Sequence, residues 1–437
     1  MQTSTQHASS SRGASHFRWV IVAMLAAIIL INYIDRSAIS YAIGPMSKEL
    51  NLSDAQQGMI LGAFGIGYAV TTLLGGILVD RFGARIVLAV SVVAWAVATA
   101  LVGVASSFLL ILAARAALGL AEGPMFPGQT GAIAHWLSGR ERGRALGYSL
   151  VAVPVSLAIG APVVSYLTAI TGWREMFILL GAVSLLWMPL WWVLFRNHPE
   201  DSSRVNAAEI AVIADPPTPT PDAHSTDAPR ERTSWASLLT NGTLMANNWA
   251  FFVFGYFLFF FMTWLPGYLE RTFKLSITSV GWFSVAPWLA AALALVLLSN
   301  LSDMLLRRTG KLRIARSYLI AATQGLAALM ILPVAFTDNL TLALVLITVA
   351  VAASMGANAA FYAVNIDVTR DRSATALGIM DFGFAIAGFL APALTGWIVG
   401  QSGGFTEAFM LMSALAASSV IITLVFHRPD QHRLDKT

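Results

Sequence analysis

The chain has 437 residues, of which 57% are hydrophobic and only 11% are charged. A soluble domain has about 25% charged residues, so this composition excludes an ordinary soluble protein and indicates a membrane protein. Lys and Arg outnumber Asp and Glu by 27 to 23, an excess that cytoplasmic loops explain without a nucleic-acid partner. The chain has no cysteine, which excludes disulfides, thiol nucleophiles and cysteine-ligated metals.

Twelve apolar runs are long enough to cross a bilayer, because a helix needs roughly 20 apolar residues to span about 30 Å of hydrocarbon. They predict an all-helical membrane protein. Residues 1–18 are polar and have no apolar core or cleavage site, so no cleaved signal peptide is expected. The runs cover residues 19–44, 56–79, 85–106, 108–131, 144–169, 174–196, 245–269, 278–301, 313–335, 339–364, 374–399 and 405–427.

One long polar interval separates six runs from the other six. Residues 197–244 include "DPPTPTPDAHSTDAPRER", whose Pro, Thr and Asp content cannot supply a packed core, so a flexible cytoplasmic linker is predicted there. We therefore expect one six-helix bundle at 1–196 and another at 245–437. A weak repeat supports this division, since residues 75–87 resemble residues 299–315. Two related halves are typical of a transporter with its site between them.

The distribution of positive charge predicts the orientation. With a cytoplasmic N-terminus, nearly all Lys and Arg residues fall in cytoplasmic segments, as the positive-inside rule requires. We therefore expect both termini in the cytoplasm of a multi-pass protein of the cell inner membrane. The exceptions are Lys48, Arg174, Arg271 and Lys274 in outer loops, and Arg36 and Arg115 within spans.

Few charged residues lie within the predicted spans: Asp35, Arg36, Arg115, Glu122 and Asp381. Burying a charge at mid-membrane costs about 2.5–3.5 kcal/mol on insertion scales, so these residues are not expected to face lipid. Arg36 and Arg115 both lie roughly 10–12 Å below the outer ends of their spans. Arg115 and Glu122 are seven residues apart and share one helix face. We therefore expect the first and fourth spans to pack together, with Asp35, Arg36, Arg115 and Glu122 around one polar cavity.

Two interpretations of this cavity remain open, a structural lock between two helices and a site for substrate and protons. A purely structural lock is replaceable by apolar packing, often without loss of stability, which favours the functional interpretation. Arginine stays protonated and holds a carboxylate through two parallel hydrogen bonds, so Arg36, with Tyr33 one turn away, is the candidate ligand of a substrate anion. Asp35 and Glu122 can exchange protons, and Arg115 is placed to tune Glu122.

Short motifs carry a resemblance to known transporters. Gly76, Asp80, Arg81, Gly83 and Arg85 match the loop motif of the major facilitator superfamily almost fully, and a degenerate copy lies at Ser299, Asp303, Arg307 and Arg308. More narrowly, the chain resembles the anion:cation symporter family, which includes permeases for galactonate, hexuronates, glucarate and phthalate and the lysosomal sialic acid transporter. The stretches that carry this resemblance are "NYIDR" (Asn32 to Arg36), "RAALGLAEGPMFPG" (Arg115 to Gly128), "GWREMF" (Gly172 to Phe177) and "NHPEDSSRVNAAE" (Asn197 to Glu209).

The resemblance implies twelve helices in two bundles and proton-coupled uptake of a small organic anion by alternating access. It implies no cofactor, with H⁺ as the coupling ion, and a monomer whose partners are that anion and the bilayer; Na⁺ coupling stays open. It implies Asp35 and Glu122 as proton carriers, Arg36 on the substrate carboxylate and Arg115 as an ionic partner. Tyr68 matches a substrate contact of the family.

The chain also departs from the sugar-acid permeases. Val153 stands where they carry a glutamine, which puts a polyhydroxylated substrate in doubt and keeps a less hydroxylated or aromatic acid open. Asp381 stands where asparagine is expected, and three roles are open to it: staying protonated, binding a substrate hydroxyl, or reaching Arg36. Asn358 and Phe361, three residues apart on the tenth span, complete the candidate substrate-binding set.

Other functions remain as alternatives. An organic-anion or phosphate-ester antiporter of the same fold is open, although clamping a doubly charged phosphate favours a second in-span arginine, which the last six spans lack. A drug exporter would carry Gly-Pro-x-x-Gly-Gly on the fifth span, where "IGAPVVSY" lacks the glycine pair. No catalytic or metal-ligand motif indicates an enzyme. A transporter-like sensor stays open.

Overall fold

The computed structural model describes residues 14–214, 235–369 and 372–431. Within these ranges the chain is almost entirely helical, as its apolar runs predict. The helices in chain order are α1 (Phe17–Leu50), α2 (Asp54–Val104), α3 (Phe108–Glu122), α4 (Met125–Trp136), α5 (Gly139–Thr171), α6 (Trp173–Leu194), α7 (Ala207–Ile213), α8 (Trp235–Thr240), α9 (Gly242–Phe273), α10 (Ile277–Phe283), α11 (Val285–Thr309), α12 (Tyr318–Val334), α13 (Leu340–Gly356), α14 (Asn358–Val368), α15 (Ser373–Ser402) and α16 (Thr406–Phe426).

Eleven helical segments of the described chain are long and apolar enough to cross a membrane. Helix α2 explains the difference from the predicted twelve. It has 51 residues, which is about 77 Å of helix and more than twice the thickness of the hydrocarbon layer. Gly83 interrupts it with φ 77° and ψ 152°, a backbone conformation that favours glycine. The arms on either side of Gly83 are the second and third predicted spans, so the twelve-helix prediction is confirmed with two spans joined.

Three other predicted spans are broken inside the membrane. The fourth consists of α3 and α4, which meet at Gly123 and Pro124. The eighth breaks at Ser284, and the tenth breaks at Ala357. Proline has no N–H to donate, which explains the first break. Such breaks are tolerated at membrane depth where the freed backbone is enclosed by protein. Two candidate site residues lie beside them, because Glu122 ends α3 and Asn358 begins α14.

The helices form two halves, α1–α6 and α9–α16. In the first half α1 packs on α5, and α2 packs on α3 and α6; in the second half α9 packs on α15 and α16, and α12 packs on α13 and α16. Helix α2 also packs along α15 of the second half, and α5 packs against α10 and α11. The interface between the halves therefore consists mainly of α2, α5, α10, α11 and α15.

The halves approach closely where α2 begins. A Cβ atom added to Gly58 would lie 2.7 Å from the carbonyl oxygen of Pro392, and one added to Gly62 would lie 2.7 Å from that of Phe389, so only glycine permits this contact. Arg271, near the end of α9, donates a 2.6 Å hydrogen bond to Asp54. We call this the Asp54 end of the protein. The opposite end, where α1 begins and α2 bends, is the Gly83 end.

The segment predicted as a flexible linker is only partly described. Residues 199–201 form a 3₁₀ turn, α7 follows, and α8 precedes α9, so the described parts of 197–244 are largely helical and the expectation of a flexible chain is wrong for them. The Pro-rich stretch lies outside the described residues. The predicted domain boundaries stay a prediction.

Helix α7 packs against the start of α1 through Glu209, which is fully buried. The Glu209 carboxylate accepts hydrogen bonds from the Ser15 hydroxyl (2.6 Å) and from the backbone N–H groups of Phe17 (3.1 Å) and Arg18 (2.9 Å). The first N–H groups of a helix have no partner within it and attract negative charge, so Glu209 caps α1. Arg18 bridges Glu209 (3.0 Å) and Glu141 of α5 (3.1 Å). The segment after the sixth span is thereby fixed to the first and fifth.

Candidate central site

The ion pair between Arg36 of α1 and Glu122 of α3 lies inside the first half. Arg36 Nε (3.0 Å) and Nη2 (2.8 Å) both donate to Glu122 Oε2, and Nη2 also donates to Asn32 Oδ1 at 3.1 Å. Arg36 is 1% exposed and Glu122 is fully buried. The other carboxylate oxygen, Glu122 Oε1, is buried and accepts no hydrogen bond. The sequence analysis placed these two residues around one cavity, and the structure shows them in a direct ion pair.

Aromatic rings surround the Arg36 guanidinium. Its Cζ atom lies 4.4 Å from the ring centres of Tyr33 and Phe64 and 5.0 Å from that of Tyr68. Phe64 and Tyr68 stack on each other with their centroids 5.3 Å apart. The faces of aromatic rings attract a cation, most strongly where water is excluded. Tyr33 and Tyr68 therefore lie beside Arg36, as predicted, and Phe64, one turn before Tyr68, is a neighbour that the sequence analysis missed.

Arg115 lies close to Arg36. Among the residues that the structure describes it forms no ion pair, although it is 1% exposed. Its Nη2 donates a long 3.5 Å bond to the backbone carbonyl of Arg36, while Nε and Nη1 are buried without a hydrogen-bond partner. Arg115 and Glu122 interact through their charges without a direct ion pair, since seven residues separate them along the helix by about 10.5 Å, and the role of Arg115 as an ionic partner stays a prediction. A buried cation with unused donors is costly, so this position favours an anion.

Asp35 contacts α6. Its carboxylate accepts a 2.6 Å hydrogen bond from the Ser184 hydroxyl of α6, and Asp35 is 1% exposed. Consecutive helical residues point about 100° apart, so Asp35 and Arg36 face different neighbours. Asp35 thus makes its hydrogen bond away from both arginines while it stays within Coulombic reach of Glu122, and its place in a shared cavity stays a prediction. Its role as a proton carrier is a separate prediction and stays one.

The second half contributes Asp381 of α15 and Tyr362 of α14. The Tyr362 hydroxyl lies 3.4 Å from Asp381 Oδ1, and both residues are partly exposed. Asp381 is also close enough to the hydroxyls of Tyr33 and Tyr68 for a Coulombic interaction with each. It does not pair with Arg36, whose carboxylate partner is Glu122. Asp381 thus faces the aromatic surroundings of Arg36 from the opposite half.

We call this group of residues the central site: Tyr33, Arg36, Phe64, Tyr68, Arg115 and Glu122 from the first half, and Tyr362 and Asp381 from the second. Two further candidates lie near its second-half part. Asn358 is buried beside the break in the tenth span, and its Oδ1 accepts no hydrogen bond. Phe361 is fully buried, with its ring 5.4 Å from Phe251 and 5.8 Å from Phe254. Contact of Asn358 or Phe361 with substrate stays a prediction. Tyr362, four residues after Asn358, was missed although helical spacing puts it on the same face.

The loop motif lies at the Gly83 end. Asn197 Oδ1 accepts a 3.0 Å hydrogen bond from the Arg85 backbone N–H, and Arg85 Nη2 donates to the Trp192 carbonyl at 2.6 Å. The bend at Gly83 is therefore fastened to the end of α6. Gly76, Asp80 and Arg81 are exposed there. In the degenerate copy, Asp303 pairs with Arg316 at 3.0 Å.

Family membership follows from comparison with known proteins. The profile of the Major Facilitator Superfamily matches residues 25–366 and 268–437. The chain belongs to the Major Facilitator Superfamily. Proteins of this superfamily are transporters, so the expectation that the chain is not an enzyme is confirmed. The predicted resemblance to the superfamily, drawn from the loop motif, is confirmed as well.

This member of the superfamily has relatives that match over nearly its whole length. The protein named "Probable sulfoacetate transporter SauU" from Cupriavidus necator is 33% identical and is covered over 93% of both chains. The "Hexuronate transporter" of Bacillus subtilis is 29% identical over 92% of both chains. A crystal structure of a bacterial homologue of the human lysosomal transporter Spinster, inward-facing and unoccupied, matches with a TM-score of 0.73 at 18% identity, covering 97% of this chain and 99% of that one. The last comparison supports the fold.

Proposed function

We propose that this protein takes up a small organic anion across the cell inner membrane by proton-coupled symport, with both termini in the cytoplasm. The relatives named for sulfoacetate and hexuronate support an anionic substrate. The observation that carries the proposal is the uneven use of charges in the central site. One carboxylate oxygen of Glu122 accepts hydrogen bonds from Arg36, and the other is buried without a hydrogen bond. Arg115 has two buried N–H donors, Nε and Nη1, without an acceptor.

An anion supplies what Arg115 lacks. Nε and Nη1 of Arg115 lie on different edges of the guanidinium, and each unused N–H offers a carboxylate or sulfonate oxygen a first contact. Arg36 becomes a second ligand when Glu122 releases it. The rings around Arg36 exclude water, which strengthens each ionic contact.

A proton on Glu122 releases Arg36. The bare Oε1 is the oxygen open to protonation, and a neutral carboxyl holds a guanidinium far less tightly than a carboxylate does. The anion and Glu122 compete for one cation, so protonation of Glu122 and binding of the anion favour each other. Linkage makes this coupling reciprocal, and the bound anion therefore retains the proton. Both are carried together when the halves rock about the site, which is alternating access.

Uptake into proteoliposomes tests the proposal. Proteoliposomes that contain the purified protein are incubated with labelled sulfoacetate, glucuronate or galactonate, with and without an imposed pH gradient. We expect at least one anion to accumulate above equilibrium only with the gradient. A Na⁺ gradient that drives accumulation at uniform pH, or uptake that stops at equilibrium, would contradict proton symport.

A matched pair of variants tests the site in the same assay. Arg36→Lys keeps the charge but cannot place two donors on one carboxylate oxygen, so anion binding should weaken about 10- to 100-fold. Arg308→Lys makes the same change at an exposed position and should leave binding unchanged. Near wild-type affinity in Arg36→Lys would assign Arg36 a structural role.

A further inference from the structure

The first half presents basic side chains to the central site, and the second half presents an acidic one. The first half brings Arg36 and Arg115, whereas the second brings the carboxylate of Asp381. Asp381 is partly exposed, while Glu122 and Asp35 are fully enclosed by their own half. Among the described residues Asp381 has no cationic partner, since its side-chain contact is the hydroxyl of Tyr362. A substrate that reaches from the arginines to the second half therefore meets an acidic side chain at its far end.

From this arrangement we infer that the site selects organic anions with a single negative charge, whose far end carries a hydroxyl group that donates to Asp381. This inference rests on the proposed function and names its substrate class. Once Asp381 has lost its proton it repels an anionic group in a site with little water, and like-charge contacts of this kind discriminate strongly against the wrong ligand. A hydroxyl instead gives Asp381 the donor that Tyr362 provides only at 3.4 Å.

The neighbours of Asp381 do not remove this selection. The titratable side chains near it are Tyr362 from its own half and Tyr33 and Tyr68 from the other, and a tyrosine hydroxyl is neutral at physiological pH. Tyrosine hydroxyls can donate to a substrate oxygen, but they do not neutralise a second negative charge. A phosphate ester or a dicarboxylate is therefore poorly matched to this half of the site.

Two matched pairs of anions test the inference. Galactonate and galactarate have the same carbon skeleton and differ only at the far carbon, which is a CH₂OH group in one and a carboxylate in the other. Isethionate and sulfoacetate differ in the same way around a sulfonate. Competition with a labelled anion in proteoliposomes gives the affinity of each. In every pair of which at least one member binds, the alcohol should bind better than the dianion, by about tenfold or more.

The variant Asp381→Asn keeps the shape of the side chain and removes its charge. The affinity ratio of alcohol to dianion should then fall about tenfold, mostly through tighter binding of the dianion. Tyr362→Phe keeps the charge and should retain the preference for the monoanion. Asp338→Asn removes one charge at an exposed loop position and controls for net charge.

Each outcome decides between the inference and its failure. An unchanged ratio in Asp381→Asn, or a wild-type protein that binds either dianion better than its alcohol, overturns the inference and leaves organic-anion transport standing. Binding of none of the four anions by the wild type overturns the inference, and failure to take up glucuronate as well overturns the proposed function. A fall in the ratio in Asp381→Asn that Asp338→Asn does not reproduce supports the inference.

Discussion

Arg271 and Asp54 join the two halves of the protein at one end. Arg271 comes from the second half and donates to Asp54 of the first at 2.6 Å, and it also hydrogen-bonds to Gln57, one turn further along α2. Both side chains of the ion pair are about one-third exposed, at 34% and 32%. The pair forms where glycines let α2 and α15 approach, so it belongs to the closed state of the Asp54 end.

Arg271→Gln should open the Asp54 end more often. A partly exposed ion pair contributes about 0.2–1 kcal/mol, so the population of the open state should rise up to about fivefold. Spin labels at Ser53 and Lys274, on opposite halves at this end, would report the change as a larger share of long distances. Glu49→Gln breaks the Glu49–Arg174 pair within the first half and should not alter the distribution. An identical response from both variants would show that Arg271 does not hold the halves together.

Glu122→Gln should separate anion binding from the proton. A neutral amide imitates a protonated carboxyl, so Arg36 is free at every pH. Anion affinity in the wild type should weaken as the pH rises, because deprotonated Glu122 recaptures Arg36, whereas affinity in the variant should stay constant. Exchange of anion across vesicles should continue without uphill accumulation. Glu175→Gln, an exposed acid of α6, is the control. Uphill accumulation of the anion by the Glu122→Gln variant under a pH gradient would exclude Glu122 as a required proton carrier.

Glu209→Gln should destabilise the protein in a pH-dependent way. Burial alone would raise the pKa of the Glu209 carboxyl, but hydrogen bonds from Ser15, Arg18 and Phe17 outweigh it and hold that pKa below its ordinary value. A lowered pKa means that the stabilisation is complete above the ordinary glutamate range and is lost as pH falls through the lowered value. The loss at neutral pH should be about 1–3 kcal/mol.

Thermal unfolding in detergent at several pH values measures this difference. The melting temperatures of wild type and Glu209→Gln should differ most near neutral pH and converge in acid. Glu200→Gln, at an exposed position in the preceding 3₁₀ turn, should behave as wild type. A constant difference across the whole pH range would mean that the charge of Glu209 contributes nothing.

Gly83→Ala should destabilise the bend between the arms of α2. Its φ of 77° with ψ of 152° lies in a region that is essentially restricted to glycine and costs other residues about 1–3 kcal/mol, and a Cβ atom would also collide with the Asn197 side chain. Gly76→Ala is a matched control on the same helix, where a Cβ atom meets nothing within 4 Å. The melting temperature should fall for Gly83→Ala and stay level or rise for Gly76→Ala. Equal effects would show that the bend does not require glycine.

The sequence predicted the spans and one contact of the site because both follow from simple regularities. Apolar length determines a span, and the cost of exposing charge to lipid predicts that Arg36 and Glu122 lie around one cavity. The remaining contacts depend on how each helix is rotated about its own axis, which packing decides. Asp35 was placed beside Arg36 because they are adjacent in sequence, yet α6 offers Ser184 on the other side. The contact of Glu209 with the start of α1 joins residues almost 200 positions apart, and no local sequence pattern predicts it.

The joining of two spans into α2 has a mechanical consequence. One arm, from Asp54 to Gly83, lies against α15 of the opposite half, while the other packs on α6 of its own half. The second arm is bound to α6 where it begins, because Arg85 donates hydrogen bonds to Asn197 and to the Trp192 carbonyl. The first arm is packed from both sides, because its Gly67 also lies against Ala116 of α3 in its own half. A movement of the second half against the first would therefore slide α15 over Gly58 and Gly62, while the arm itself stays on α3. The bend at Gly83 thus joins the surface that contacts the opposite half to the frame of its own half.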